Sequence, residues 1–224
     1  MSKREEYIKY LESIGFTKAS KEEIEQNVDY EFEYIYDALW YIYDGDLNIE
    51  SLRMDNLPLI VTGDLNMPNG TVFTSDYNGL IVLGKTNAKW LSINGNTHLK
   101  DVTFSLALIT SGNGSPRIVE KAQGPFLYHC SDSASFYDVS EVKCYINRDE
   151  PRTVSAFSDF VMNPELYIEP LQSWQLTEEQ FKNNENDIQS EYNKYEEYLV
   201  NDVGIDDDEI ESAIINGTFQ LKKL

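Results

Sequence analysis

The chain has 224 residues with 39 acidic and 18 basic side chains, giving a formal net charge of −21 that argues against nucleic acid or an anionic membrane as a partner. Its hydrophobic fraction of 41% and aromatic fraction of 12% are those of a folded protein and argue against long disordered spans. The N-terminal residues lack the apolar stretch of a signal peptide, and no apolar run approaches the ~18 residues needed to span a bilayer. We therefore expect a cytoplasmic globular protein.

The acidic charge is concentrated at the two ends of the chain. The net charge is −8 over residues 1–50, −4 over residues 51–175 and −9 over residues 176–224. This distribution favours a basic protein as partner, and the alternative is that acidity only keeps the chain soluble. The two cysteines, Cys130 and Cys144, make no disulfide framework, so we expect reduced thiols.

Two helices are predicted at the N-terminus. The first covers residues 4–14, with an apolar side formed by Tyr7, Ile8, Leu11 and Ile14, and Gly15 ends it. Ser20 and Glu23 have the spacing of a capping box that opens the second helix. The apolar stripe of this helix is Ile24, Val28, Ile35, Leu39 and Ile42, and it ends at Gly45.

From Gly45 to about Ile146 the sequence changes to short β-rich runs separated by Asn-Gly and Gly-Asp turns. The run LIVTGD at residues 59–64 returns as LIVLGK at residues 80–85, a spacing of 21 residues. An antiparallel sandwich would need hairpins of alternating polarity, whereas a parallel solenoid repeats one similar rung in every turn. The near-copy favours the solenoid.

Stacked coils require aliphatic side chains at equivalent inward positions and tight turns at the corners. Leu59 and Val61 fit the inward positions with their counterparts Leu80 and Val82. The corner residues are Gly63, Gly84 and Gly95. The open ends of a solenoid expose strand edges, and helices at both termini would cover them.

The predicted fold is therefore mainly β with helical ends, a parallel β-helix (solenoid) capped by N- and C-terminal α-helices. Residues 1–44 form the N-terminal helical cap, residues 45–148 the β-solenoid, and residues 149–224 an irregular segment followed by acidic helices. Within the last part, residues 152–175 are expected to be irregular. A charged helix follows from Thr177 to about Val203, and a short helix begins at Asp206.

The phrases "LIVTGDLNM" and "LIVLGKTNAKWLSING" resemble the coils of bacterial β-solenoid proteins of the bactofilin type, and those of β-solenoid proteins encoded beside polymorphic toxin genes. The resemblance covers roughly residues 45–130. It implies the solenoid fold. Bactofilins polymerise end to end, and the acidic helices at both ends of this chain would block such stacking. The toxin-neighbourhood group more often has helical additions and implies an immunity or accessory role.

Several possible sites have only partial motifs. Asp44-Gly45-Asp46 begins like a calcium loop but has Ile49 at the sixth position and Asp55 at the twelfth. His129, Cys130, Cys144 and His98 lack the spacing of a zinc site or a catalytic pair. The turn SGNGS at residues 111–115 lacks the lysine of a phosphate loop. We therefore predict no catalytic residue, no cofactor and no metal site.

A carbohydrate-active solenoid would need two carboxylates on one face. The coils offer only scattered acids, Asp64, Asp76, Asp101 and Asp132. A 21-residue coil places Asp64 beside Lys85, which predicts a salt-linked ladder in place of a carboxylate pair. An enzyme is thus the third of three alternatives.

The first alternative is an immunity-like protein, monomeric or dimeric, that neutralises a basic toxin through acidic and aromatic surface. The second is a structural solenoid scaffold. The candidate binding residues, chosen by charge, are Asp29, Glu31, Glu33, Asp37, Glu178, Glu179, Glu185, Asp187, Glu191, Glu196 and Glu197.

Overall fold

The structure is a computed structural model. It describes residues 2–28, 39–55, 57–74, 78–110, 117–129, 134–147, 166–168 and 212–219. Most of these residues form strands of one parallel β-solenoid of about five turns, and short helices lie near the termini. The predicted fold class is confirmed.

In the described part of residues 1–40, two helices precede the coils, α1 at Lys3–Ser13 and α2 at Lys21–Asn27, with the short strand β1 at Thr17–Lys18 between them. Each helix opens with a capping box, Ser2 with Glu5 in α1 and the predicted Ser20 with Glu23 in α2. The prediction that the second helix includes Val28, Leu39 and Ile42 and ends at Gly45 is wrong, because none of these three apolar residues is helical. Ile42 lies in a strand opposite Ile60, because an apolar residue at helical spacing fits the buried row of a sheet equally well.

Within the described residues nine strands follow β1, and every pair among them is parallel. They are β2 (Tyr41–Tyr43), β3 (Leu47–Asn48), β4 (Leu59–Val61), β5 (Leu65–Thr74), β6 (Gly79–Ile93), β7 (Asn96–Thr110), β8 (Arg117–His129), β9 (Ala134–Asn147) and β10 (Leu166–Ile168). The strand β1 pairs with β2 in the antiparallel sense. The apolar parts of the two near-copies lie in strands, Leu59–Val61 in β4 and residues 80–83 in β6.

The coils pass through three strand segments, which we call faces A, B and C, and the first coil has strands only on faces A and B within the described residues. Face A contains Tyr41–Tyr43, Leu59–Val61 and residues 79–82, 97–99, 117–119 and 134–136. Face B contains Leu47–Asn48 and residues 65–67, 85–88, 101–104, 121–124 and 138–142. Face C contains residues 71–74, 90–93, 107–110, 126–129 and 144–147, with β10.

Inward side chains of the three faces form one continuous apolar core. Leu59 pairs with Leu80 and Val61 with Val82, and all four are fully buried as predicted. Because each coil buries its aliphatic side chains on those of the next, burial stabilises every level by roughly 1.5–3 kcal/mol per large side chain.

Glycine is required between faces A and B because successive coils come very close there. A Cβ on Gly84 would lie 2.4 Å from the Asp64 carboxylate and 2.6 Å from the Gly63 carbonyl carbon. A Cβ on Gly63 would meet Asp46 in the same way. The corner positions predicted for these glycines are confirmed, and their reason is the lack of space for a side chain.

The helix α1 closes the core at its N-terminal end. Tyr7 and Leu11 are 1% and 0% exposed and belong to the same apolar cluster as Tyr41 of the first coil. Tyr7 is also fixed by a hydrogen bond from its hydroxyl to the carbonyl oxygen of Arg53, at 2.9 Å. This end of the solenoid is therefore covered by side chains of a helix.

The segment predicted to be irregular over residues 152–175 contains the strand β10, which pairs with residues 144–146 of β9 and extends face C by one level. That prediction is wrong for Leu166–Ile168, where a three-residue apolar run is enough to continue an existing ladder. Further on, a helical turn at residues 212–215 leads to Phe219, whose ring lies 5.2 Å from that of Phe126 on the outer side of face C.

Candidate interaction surface

Face B presents a row of polar side chains to solvent. Strand alternation points Leu65, Val102 and Ala122 into the core and sends their neighbours outward. The outward row is in continuous register and consists of Asn48, Asn66, Asn87, Thr103, Gln123 and Glu141. Each of these residues is exposed or half-exposed. Face B thus offers one hydrogen-bonding side chain about every 4.8 Å along the solenoid.

A second row on face B alternates in charge. Lys85 pairs with Asp101, Asp101 with Lys121, and Lys121 with Asp138. Opposite charges directly across neighbouring strands attract, so the row favours the observed register of the coils.

Lys121 is the most strongly coupled member of this row. Its ammonium group donates a hydrogen bond to Glu141. This bond and the negative charges of Glu141, Asp138 and Asp101 raise the pKa of Lys121. Partial burial opposes ionisation of Asp138, but hydrogen bonds from the Ser140 hydroxyl and N–H and the charge of Lys121 together lower the pKa of Asp138.

Carboxylates at the corner between faces A and B bind the backbone of the next coil. Asp46 accepts a hydrogen bond from the N–H of Asp64, and Asp64 accepts one from the N–H of Lys85, both at 2.8 Å. Asp44 accepts one from the Thr62 hydroxyl at 3.0 Å. Asp64 therefore lies level with Lys85 as predicted, and the contact found is with the lysine backbone. The calcium-like motif at residues 44–46 has this structural use.

The outer side of face A is apolar and buried. Its row is Ile42, Ile60, Ile81, His98 and Ile118. Ile24 and Val28 of the α2 region pack in the same cluster as this row, together with Trp40. His98 is the polar member, and its Nε2 lies 2.8 Å from Oε1 of Glu120.

The outer side of face C is also apolar, and most of it is covered. Trp90, Ala107, Ile109, Phe126 and Tyr128 are all at most 7% exposed. Phe73, at the first level, is 44% exposed. Within the described part of the chain, face B is consequently the face whose outer rows are open along the whole series of coils.

The comparisons with known proteins add no relative. No protein-family model, no curated protein and no solved structure matches this chain. The bactofilin-like and immunity-like resemblance of the coil motifs thus extends only to the solenoid fold, which the coils of this chain share.

The candidate binding residues chosen by charge all lie outside the described residues. They are Asp29, Glu31, Glu33, Asp37, Glu178, Glu179, Glu185, Asp187, Glu191, Glu196 and Glu197. Asp76, Asp132 and Cys130 also lie outside them. Of the carboxylates considered for sugar chemistry, Asp64 and Asp101 occupy one column with Lys85 between them.

The remaining histidine, His129, is buried in the core. Its Nδ1 lies 3.0 Å from the hydroxyl oxygen of Tyr145, and its ring packs edge-on against Phe136. In the described ranges, no group of three or more His, Cys, Asp or Glu side chains is arranged to hold a metal ion. No helix within those ranges is long and apolar enough to cross a membrane.

Sequence reasoning missed the rows of face B. Their signal is present, because Asn66 and Asn87 follow the two near-copies at the same 21-residue spacing. The later spacings are shorter and unequal, 16 residues from Asn87 to Thr103 and 20 from Thr103 to Gln123, so the row is hidden without the register.

Proposed function

We propose that this chain is a non-enzymatic binding protein that engages a basic protein through its lateral surface, as an immunity protein engages a toxin. The observation that favours this function is the closed N-terminal end. Tyr7 and Leu11 of α1 pack into the core where another solenoid would have to stack. Binding at the sides of the coils remains open, and face B is a regular polar surface there.

The charge of the chain supports a basic partner. Exposed acids surround the capped end, on the helices and on the first coils: Glu5, Glu6, Glu12, Glu22, Glu25, Asp44, Asp46 and Glu50. A negative surface speeds encounter with a positive partner and disfavours acidic ones. The net charge of −21 gives this attraction a long range at low salt.

The sheet supports binding by pre-organisation. Side chains on stacked parallel strands keep their spacing before a partner arrives, because each strand is hydrogen-bonded to its neighbours. A rigid surface loses little conformational entropy on binding, which favours affinity.

The test is binding of a partner co-purified from the native cell and then measured with purified proteins over a range of salt. We expect the dissociation constant to rise steeply with ionic strength, because exposed charges are screened beyond about 8–10 Å. A dissociation constant that stays constant over this range would refute an electrostatic interface.

A pair of variants tests which acids take part. The first removes four candidate charges together: Glu178→Gln, Glu179→Gln, Glu185→Gln and Asp187→Asn. The matched comparison removes four exposed acids at the capped end: Glu6→Gln, Glu12→Gln, Glu22→Gln and Glu50→Gln. Both variants lose the same charge, so weaker binding by the first alone supports the candidate set, weaker binding by the second alone locates the surface at the capped end, and equal binding by both contradicts the candidate set.

A structural scaffold is the second candidate function. The observation that favours it is the continuation of face C by β10, since a parallel ladder can accept further strands at an open edge. Sedimentation over a wide concentration range separates the two. Filaments that lengthen with concentration would support the scaffold, and a fixed monomer or dimer would support the binding protein.

A further inference from the structure

A cleft of about 350 Å³ lies between the first turn of α1 and the segment that joins β3 to β4. It is lined by Lys3, Arg4 and Tyr7 of the helix and by Asp55 and Leu57 of the segment. This volume is within the range of small-molecule sites, which combine apolar walls with a few polar groups. Tyr7 and Leu57, which are 1% and 2% exposed, form the apolar base of this cleft. The more exposed side chains of Lys3, Arg4 and Asp55 supply the polar groups.

The floor of the cleft is held in place by both tyrosines of α1. The Tyr7 hydroxyl donates to the carbonyl oxygen of Arg53 at 2.9 Å, and the N–H of Arg53 donates to the Tyr10 hydroxyl at 3.3 Å. Burial is the main cause that raises the pKa of Tyr7, so its hydroxyl stays neutral. The two sides of the cleft are therefore fixed relative to each other.

More positive than negative charge faces the cleft. Asp55 forms an ion pair with Arg53, in which Oδ2 lies 3.2 Å from Nη2 of the guanidinium. The Cζ atom of the same guanidinium lies 5.7 Å from the centre of the Tyr7 ring. Lys3 and Arg4 have no ion pair within the described residues. The capping box of α1 occupies the N–H groups of Ser2 and Glu5, and the side chains of Lys3 and Arg4 carry the positive charge of the cleft. In a chain of net charge −21, a locally basic cleft is unexpected.

We propose that this cleft binds a small organic anion with an aromatic or branched apolar group. The ammonium of Lys3 and the guanidinium of Arg4 bind its carboxylate or phosphate, and Tyr7 with Leu57 contacts the apolar group. Charge-assisted hydrogen bonds from Lys and Arg to such oxygens are the strong class of polar contact. The site is separate from the lateral surface proposed for a basic protein, and its ligand has the opposite charge.

Titration calorimetry of the full chain with phenylacetate, phenyl phosphate and neutral 2-phenylethanol tests the proposal. We expect both anions to bind and the alcohol, of similar size, to bind at least about tenfold more weakly because it lacks the charge. The stronger of the two anions identifies the preferred group. Equal binding of the alcohol, or no binding of either anion at millimolar concentration, would overturn the proposal.

Matched variants locate the site. The double variant Lys3→Gln with Arg4→Gln should weaken binding of the anions about tenfold. Lys9→Gln and Lys18→Gln together remove the same charge from exposed positions that do not line the cleft and should leave binding unchanged. Equal weakening by the two pairs would show attraction to net charge only and refute the site. A thermal melt of each variant shows that the cap remains folded.

Discussion

The carboxylate of Asp64 accepts a hydrogen bond from the backbone N–H of Lys85, one coil further along, at 2.8 Å. Asp46 does the same for the N–H of Asp64. At this corner an aspartate thus supplies the acceptor that the backbone donor of the next coil requires. The Gly-Asp sequence of the repeat unites two needs, a position without a side chain and a carboxylate that binds the neighbouring turn.

Removing this carboxylate should weaken the stack. We expect Asp64→Ala to lower the free energy of unfolding by about 1–2 kcal/mol, since a charge-assisted hydrogen bond to backbone is lost. Urea denaturation followed by circular dichroism measures the change. Asp44→Ala is the control, because among the described residues Asp44 accepts only from the Thr62 side chain, and its loss should lower the free energy of unfolding less. Equal losses in the free energy of unfolding would show that the hydrogen bond to the backbone stabilises the chain no more than the one to the threonine side chain.

A side chain at Gly84 should be much more harmful than one at an open glycine. Gly84→Ala places a methyl group 2.4 Å from the Asp64 carboxylate and 2.6 Å from backbone, and we expect a loss of roughly 3 kcal/mol or an altered stack. Gly217→Ala is the comparison. Gly217 has a φ of +69° with nothing within 4 Å of an added Cβ, so only backbone strain of about 1 kcal/mol is expected. Thermal melts rank the two, and the reverse order would contradict the close approach.

The sequence predicted the coils well because stacked coils require the same type of residue at equivalent positions. The position that Leu59 and Leu80 occupy must be aliphatic in every turn, and this repetition can be recognised without knowing the register of the strands. Ile42 shows the limit. Its apolar character fits the stripe of a helix and the outer row of face A equally, and only its pairing with Ile60 decides between them. The strand β10 could not be seen either, because three residues gain their stability from the ladder that they join.

The candidate site was less predictable. The outward row of face B depends on registers that change from 21 residues between Asn66 and Asn87 to 16 between Asn87 and Thr103. The candidate residues were chosen by charge from predicted acidic helices, and charge along the sequence does not indicate which side chains lie close together in the fold. The cleft beside α1 brings Lys3 together with Asp55 across 52 positions of sequence, a proximity that no local pattern contains.

Two buried threonines should respond in opposite ways to loss of their hydroxyl. Thr86 points into the core between Leu65 and Val102, and its Oγ1 has no hydrogen-bond partner within the described residues. Thr86→Val should therefore raise the free energy of unfolding by about 1 kcal/mol. A loss of stability would show that this hydroxyl is satisfied.

Thr74→Val is the matched variant of the same shape. The Thr74 Oγ1 accepts hydrogen bonds from the N–H groups of Asn94 and Gly95, at 3.1 and 3.2 Å. We expect a loss of about 1–3 kcal/mol, because two backbone donors would lose their acceptor. Chemical denaturation of both variants measures the contrast, and a similar effect of the two would contradict the assigned bonds.

The charge row of face B predicts a dependence of stability on pH. The pKa of Lys121 is raised above its ordinary 10.5, so its stabilisation is complete below that value and is lost as pH rises through the folded pKa. The pKa of Asp138 is lowered below its ordinary 3.8, so its stabilisation is present above that value and is lost as pH falls through the folded pKa.

Urea denaturation of the native chain and Lys121→Gln from pH 4 to pH 12 tests this dependence. We expect the difference between the two chains to be constant from pH 5 to pH 9 and to shrink above about pH 10.5. Lys89→Gln, at an exposed position outside the row, is the control and should show no such convergence. A difference that is the same at pH 12 would contradict the coupling.

Because α1 closes this end of the core, we predict that removing it exposes a strand edge that can pair with a second chain. Leu11 is fully buried among the residues of the first coil, and Leu11→Asp would place a charge in an apolar site at a cost of several kcal/mol. We expect the helix to leave the end of the solenoid, so that the edge of β3, which has no pairing strand on that side within the described residues, becomes available to a second chain. Analytical ultracentrifugation should then show association that grows with concentration.

Glu12→Lys, at the exposed neighbouring position, is the control and should leave the sedimentation coefficient unchanged. A Leu11→Asp chain that stays folded by circular dichroism and does not associate would show that α1 is not what prevents stacking.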